Sequence, residues 1–170
     1  MSLVIRPEAE RDRQAVRGVN RAAFGTTAEA DLVDALREGG QVAVSLVAES
    51  NGRLVGHILF SGLLIVADPA TVDAVSLAPM AVLPSHQRQG IGCQLVEAGL
   101  RACRERGDRI VLVLGHPEFY RRFGFSAPLA EPLASPFGGG EAWMALELEP
   151  GALHGIAGRV EYPPPFAALG

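Results

Sequence analysis

Two short stretches of this 170-residue chain hold residues whose type and spacing can do chemistry. The first is Val82-Leu83-Pro84-Ser85-His86-Gln87-Arg88-Gln89-Gly90-Ile91-Gly92, which joins an apolar run to an amphipathic one. A strand-to-helix turn of this kind leaves backbone N–H groups without acceptors, and the helix dipole adds partial positive charge. Together these make a pyrophosphate site. Gly90 and Gly92 let the main chain approach such a ligand closely, and Arg88 adds a charge-assisted contact. The second stretch is Tyr120-Arg121-Arg122-Phe123-Gly124-Phe125, whose phenol can donate a hydrogen bond or a proton.

The elements that must position these residues are legible from periodicity. Leu3 to Arg6 reads as a first strand, and after Pro7 the apolar residues Ala15, Val16, Val19, Ala22 and Ala23 recur at helical spacing. A second helix, Glu29 to Arg37, ends at Gly39-Gly40. VSLVAES and LVGHILFSGLLIV are then strands joined by Asn51-Gly52, a strong hairpin signal. Ala74 to Val82 is another strand, in which Pro79 cannot donate to a ladder and marks a bulge or a gap in pairing. Gln89 to Arg106 is an amphipathic helix, Arg109 to Leu114 a buried strand, and Pro117 opens a short helix through Phe123. Pro128 to Gly140 reads as a loop or lid before the strand AWMALEL, and the tail from Pro150 as an extended surface segment.

The order of strand, Gln-x-x-Gly-x-Gly, helix, buried strand and Tyr-x-x-x-Gly-Phe resembles the GNAT superfamily of N-acyltransferases, most strongly from Leu77 to Phe125. A dinucleotide-binding fingerprint would need a third glycine three residues after Gly92, where this chain has Leu95. The resemblance implies a single α/β domain over 1–150, with a tail at 151–170 packed on it. Its sheet would be mixed and mostly antiparallel, of about six or seven strands, with helices on both faces. It also implies an acetyl-CoA-dependent N-acetyltransferase that acts by direct attack of a primary amine. Gln87, Arg88, Gln89, Gly90, Ile91 and Gly92 would hold the pyrophosphate, and main chain at Met80, Ala81 and Val82 would hold the pantetheine arm in a gap between splayed strands. The main-chain N–H near Val82 would serve the oxyanion, and Tyr120 would face the sulfur.

For the general base, Glu29 at the start of the second helix and His57 within VGHILFS are the candidates, with a water chain as a third. His116, beside the end of the buried strand, is a further histidine that could face the thioester. Two departures concern the acceptor side. The Asn found in many relatives seven residues before the tyrosine is Val113 here, and the acidic residue of the strand before the turn is replaced by Leu77, Ala78 and Pro79. Cys93, in the first helical turn, opens a covalent route, but its position after Gly92 fits a small packing residue. A CoA-binding regulator without turnover and an enzyme using a longer acyl-CoA are the alternative functions.

Composition narrows the classes further. The net charge is −4 and all fifteen basic residues are arginine, so neither a basic nucleic-acid surface nor lysine-based cofactor chemistry is expected. Neither a leader nor an apolar run of about 20 residues is evident, which points to a cytoplasmic protein with no membrane partner. The two cysteines lie about three helical turns apart and are expected to be reduced. The histidines show no metal-ligand spacing, so no metal is expected. The strand AWMALEL and the proline-rich tail are candidates for a homodimer edge.

Overall fold

The computed structural model describes residues 2–68 and 70–169. Its frame is an eight-stranded sheet whose central path runs β1 (Leu3–Pro7), β2 (Val42–Ser50), β3 (Arg53–Ala67), β4 (Thr71–Val82), β5 (Ile110–Leu114) and β7 (Trp143–Glu147). All neighbours on this path are antiparallel except β4 and β5. The β2–β3 hairpin turns at Asn51 and Gly52, whose φ angles of 51° and 79° are the left-handed pair that a tight two-residue turn demands.

Side chains alternate across β3, and this alternation builds two layers. Ile58 and Phe60 pack with Ile91, Leu95 and Val96 of α3 (Ile91–Arg106). Leu59 turns the other way, toward Val16 of α1 (Arg13–Phe24) and Leu32, Val33 and Leu36 of α2 (Ala28–Glu38). Helices therefore cover both faces. The short α4 (Pro117–Tyr120) follows β5 and joins the α3 side through buried Tyr120.

The stretch after Pro128 and the tail are more ordered than composition suggests. The expected loop contains α5 (Ala127–Ala130) and β6 (Leu133–Ala134), and the indole N–H of Trp143 donates to the Leu133 carbonyl at 2.8 Å. The tail is not a surface ribbon. It supplies β8 (Gly158–Glu161), which pairs with β3 from Leu64 to Ala67 and with β6, and then a final turn, Pro164–Leu169, that buries Phe166 beside Leu36 and Leu59. A lone phenylalanine amid prolines carries no periodicity to announce this. Phe166→Ala should lower unfolding free energy by about 3–5 kcal/mol, read from the midpoint of urea denaturation.

Candidate active site

The site begins where β4 leaves its parallel neighbour. β5 pairs with β4 only at Val75↔Val111 and Ser76↔Leu112, although β4 continues to Val82 along β3. In that ladder Ile58 faces Met80 and Phe60 faces Leu77, so Leu59 alone opposes Ala78 and Pro79. The extra residue is a bulge at the proline that lacks an N–H, and a bulge bends and twists its strand. Beyond Ser76, among the described residues, no strand pairs with the edge of β4 that faced β5.

The ladder also fixes which main-chain groups face that open edge. Leu83 N–H donates to the Val55 carbonyl at 2.8 Å, so Leu83 and Ala81 turn their polar groups toward β3, while Met80 and Val82 turn theirs to the gap. The main-chain groups of Ala81, expected at a ligand, are thus turned to β3. The Gln87 side chain is engaged within the protein as well. Its amide donates to the Val82 carbonyl at 3.0 Å, tying the turn to the strand and leaving the Val82 N–H for a ligand.

The helix starts two residues later than periodicity placed it, at Ile91 instead of Gln89. Arg88 at φ 63° and Gly90 at φ 83° form the tight entry, and Gln94 N–H is bonded to the Gly90 carbonyl at 3.1 Å. Helix geometry then leaves the N–H groups of Ile91, Gly92 and Cys93 without intrahelical acceptors, at the positive end of the dipole. Gln87 to Gly90 are exposed, so an anion can reach them. A Cβ placed on Gly92 would stand 3.5 Å from both Met80 Cε and Phe119 Cζ, so the helix start lies between β4 and α4.

Tyr120 follows Phe119 on α4. Its ring lies so close to Gly115 that a Cβ there would come within 2.6 Å of Tyr120 Cε2, and it meets Phe119 and Phe125 edge-on at 5.0 and 5.7 Å. Burial pushes its phenol up to about 12, which keeps the proton in place at neutral pH. The structure thus brings Met80, Val82, the start of α3 and Tyr120 to one region.

His57 lies opposite Ala81 in the ladder, but its side chain is held elsewhere. His57 is completely buried on the α1 side, with Nδ1 3.1 Å from Asn20 Nδ2 and Nε2 2.9 Å from Ser45 Oγ. Ser45 donates its one proton to Glu8 at 2.6 Å, so it accepts from Nε2–H, and Nδ1 accepts from Asn20. Both ring nitrogens of the neutral tautomer are therefore engaged. Burial, aided by the charge of Arg37, pulls the imidazole down to about 3. The candidate base is thus an interior residue, which a strand pattern alone does not distinguish from a pocket one. Glu29, half exposed, accepts a hydrogen bond from Thr26 Oγ1 at 3.3 Å, an arrangement suited to the start of a helix. His116 is exposed at the N-terminus of α4.

The depressed His57 value has a sign that can be measured. The unfolded chain takes up a proton below about pH 6.5 while the folded chain refuses it, so stability is full above 6.5 and falls as pH drops toward 3. At pH 5 the loss should reach about 2 kcal/mol, and His57→Gln should flatten this part of the denaturation-versus-pH curve.

One feature escaped sequence reading. A cavity of about 470 Å³ opens where β4 and β5 part, lined by Ser76, Leu77 and Ala78 of β4, Leu114 of β5, and Phe137, Tyr162 and Phe166 from the later segments. Cys93 is half buried, Cys103 is buried, and both are free thiols. Among the described residues no three His, Cys, Asp or Glu side chains are grouped as a metal site requires, and no helix is long and apolar enough to cross a membrane.

The family described as the Acetyltransferase (GNAT) domain matches residues 4–127. The chain belongs to the GNAT acetyltransferase family. A relative in Escherichia coli strain K12, the uncharacterized N-acetyltransferase YhbS, is 35% identical over 162 residues, covering 94% of this chain and 96% of its own. The crystal structure of YhbS from Escherichia coli in complex with CoA superposes with a TM-score of 0.90 at 34% identity, covering 99% of this chain and 93% of that one. A GNAT family acetyltransferase from Brucella melitensis, crystallised with acetyl-CoA, gives 0.81 at 34% identity over 97% and 98% of the two chains. In this GNAT enzyme the mixed, mostly antiparallel sheet with its helices is thus the fold of its family.

Proposed function

We propose that this GNAT enzyme transfers the acetyl group of acetyl-CoA to a primary amine by direct attack. The observation that carries the reading is the gap between β4 and β5, where Met80 main chain and the Val82 N–H face the open edge and lead toward the unpaired N–H groups of α3, with Tyr120 close by. The CoA and acetyl-CoA complexes of the two similar crystal structures support the same cosubstrate.

In this reading the N–H groups of Ile91, Gly92 and Cys93 hold the pyrophosphate, and Arg88 contributes charge from the turn. Met80 main chain aligns the pantetheine amides, and the Val82 N–H stabilises negative charge on the carbonyl oxygen. As the amine nitrogen bonds to the acetyl carbon and the C–S bond breaks, the Tyr120 hydroxyl gives its proton to the departing sulfur and recovers one from solvent. The proton lost by the amine leaves through water, because His57 is sealed. Residues 1–150 and the tail act as one unit, held by the β3–β8 pairing.

The test is release of free thiol from acetyl-CoA in the presence of a panel of amines, with acetylated product confirmed by mass. Amine-dependent release at a stoichiometry of one product per thiol is the expected result. Tight CoA binding with no amine-dependent release would leave the chain a CoA-binding protein and overturn the reading.

A further inference from the structure

We infer that the acceptor amine is carried on an apolar, ring-bearing body and not on a polycationic one, an inference that rests on the acetyl-transfer reading above. The argument begins with position. The 470 Å³ cavity meets the sheet at Ser76, Leu77 and Ala78, just where the β4–β5 pairing stops at Ser76↔Leu112. It therefore adjoins the gap in which the thioester would lie, on the side walled by the last segments of the chain.

Its chemistry comes next. Among the described residues no Asp, Glu, Arg or His lines it, and the side-chain polar groups there are the hydroxyls of Ser76 and Tyr162. Phe137, Tyr162 and Phe166 lean on one another with centroids 4.8, 4.9 and 6.4 Å apart, forming a continuous aromatic wall. Leu114 and Leu169 also line the cavity and are 40% and 41% exposed, so the free protein leaves apolar surface in water there for an occupant to cover. The volume suits a ring with a short amine-bearing chain. A polyamine or aminoglycoside would have to strip water from several ammonium groups with no carboxylate to receive them. An aryl-alkylamine loses apolar hydration instead and places its single amine at the open edge of β4.

The experiment compares kcat/KM, at saturating acetyl-CoA, for 2-phenylethylamine and tryptamine with that for spermidine and kanamycin. The aryl-alkylamines should be favoured at least about tenfold, the discrimination that a well-fitted apolar contact supplies. Phe137→Ala and Leu169→Asp should each lower kcat/KM for the aryl-alkylamines by about tenfold while acetyl-CoA affinity, measured by calorimetry, is retained. Efficient turnover of spermidine or kanamycin, or unaltered aryl-alkylamine kinetics in both variants, would overturn this inference and leave acetyl transfer standing. Failure of the wild-type chain to bind acetyl-CoA would remove both.

Discussion

Replacing Tyr120 with phenylalanine is expected to cut kcat by about 10²- to 10⁴-fold with little change in acetyl-CoA affinity. The substitution removes one oxygen and keeps the ring, so the edge-on contacts with Phe119 and Phe125 and the close fit on Gly115 persist. In the proposed mechanism what goes is the proton for the leaving sulfur. A more acidic thiol departs as the thiolate with less help, so the defect should shrink with acyl donors whose thiols are more acidic. Steady-state rates with acetyl-CoA and with a thioester of a more acidic thiol check this. Equal rates for wild type and variant would move the proton to water or His116.

Replacing Gly92 with valine should weaken CoA binding by about 10²-fold or more, the value of two charge-assisted hydrogen bonds to the pyrophosphate. Gly92 is the sharper position for this test. At Gly90 the φ of 83° makes any side chain strain the backbone, so lost binding there mixes with lost stability. At Gly92 a Cβ meets Met80 and Phe119 at ordinary contact distance, and on the proposed reading the added bulk crowds the main chain that the pyrophosphate must approach. Calorimetric titration with CoA, paired with an unchanged urea midpoint, is the measurement. Undiminished affinity would show that the pyrophosphate lies elsewhere.

The turn and the short helix that carry these two positions were legible in the sequence because they depend on local geometry. A glycine pair at a helix start and a tyrosine after a short strand carry their consequences within a few residues, and Pro79 announced its own bulge. Ala81, Gln87 and His57 were harder. Which of Met80, Ala81 and Val82 faces the gap depends on register with β3, fixed by Leu83 on Val55, and a shift of one residue would exchange them. Gln87 binds the strand it follows, a partner five residues back that only the folded turn brings near. His57 sits in an alternating strand with a polar type that suits either interior or pocket, and only the packing of Asn20 and Ser45 decides between them. The aromatic wall was the least visible, because Phe137, Tyr162 and Phe166 are far apart in the chain and meet only after β8 has paired with β3.

The aromatic wall and the open edge of β4 come from different lengths of the chain. The family match ends at residue 127, while Phe137, Tyr162, Phe166 and Leu169 all come after it. The main chain of Met80 and Val82 and the start of α3 lie before that point, so in the proposed reading donor and acceptor would be held by different lengths of the chain. Because β8 pairs with β3 and Phe166 packs with Leu36 and Leu59, both lengths are built into one frame, and a change in the later one is felt in the core.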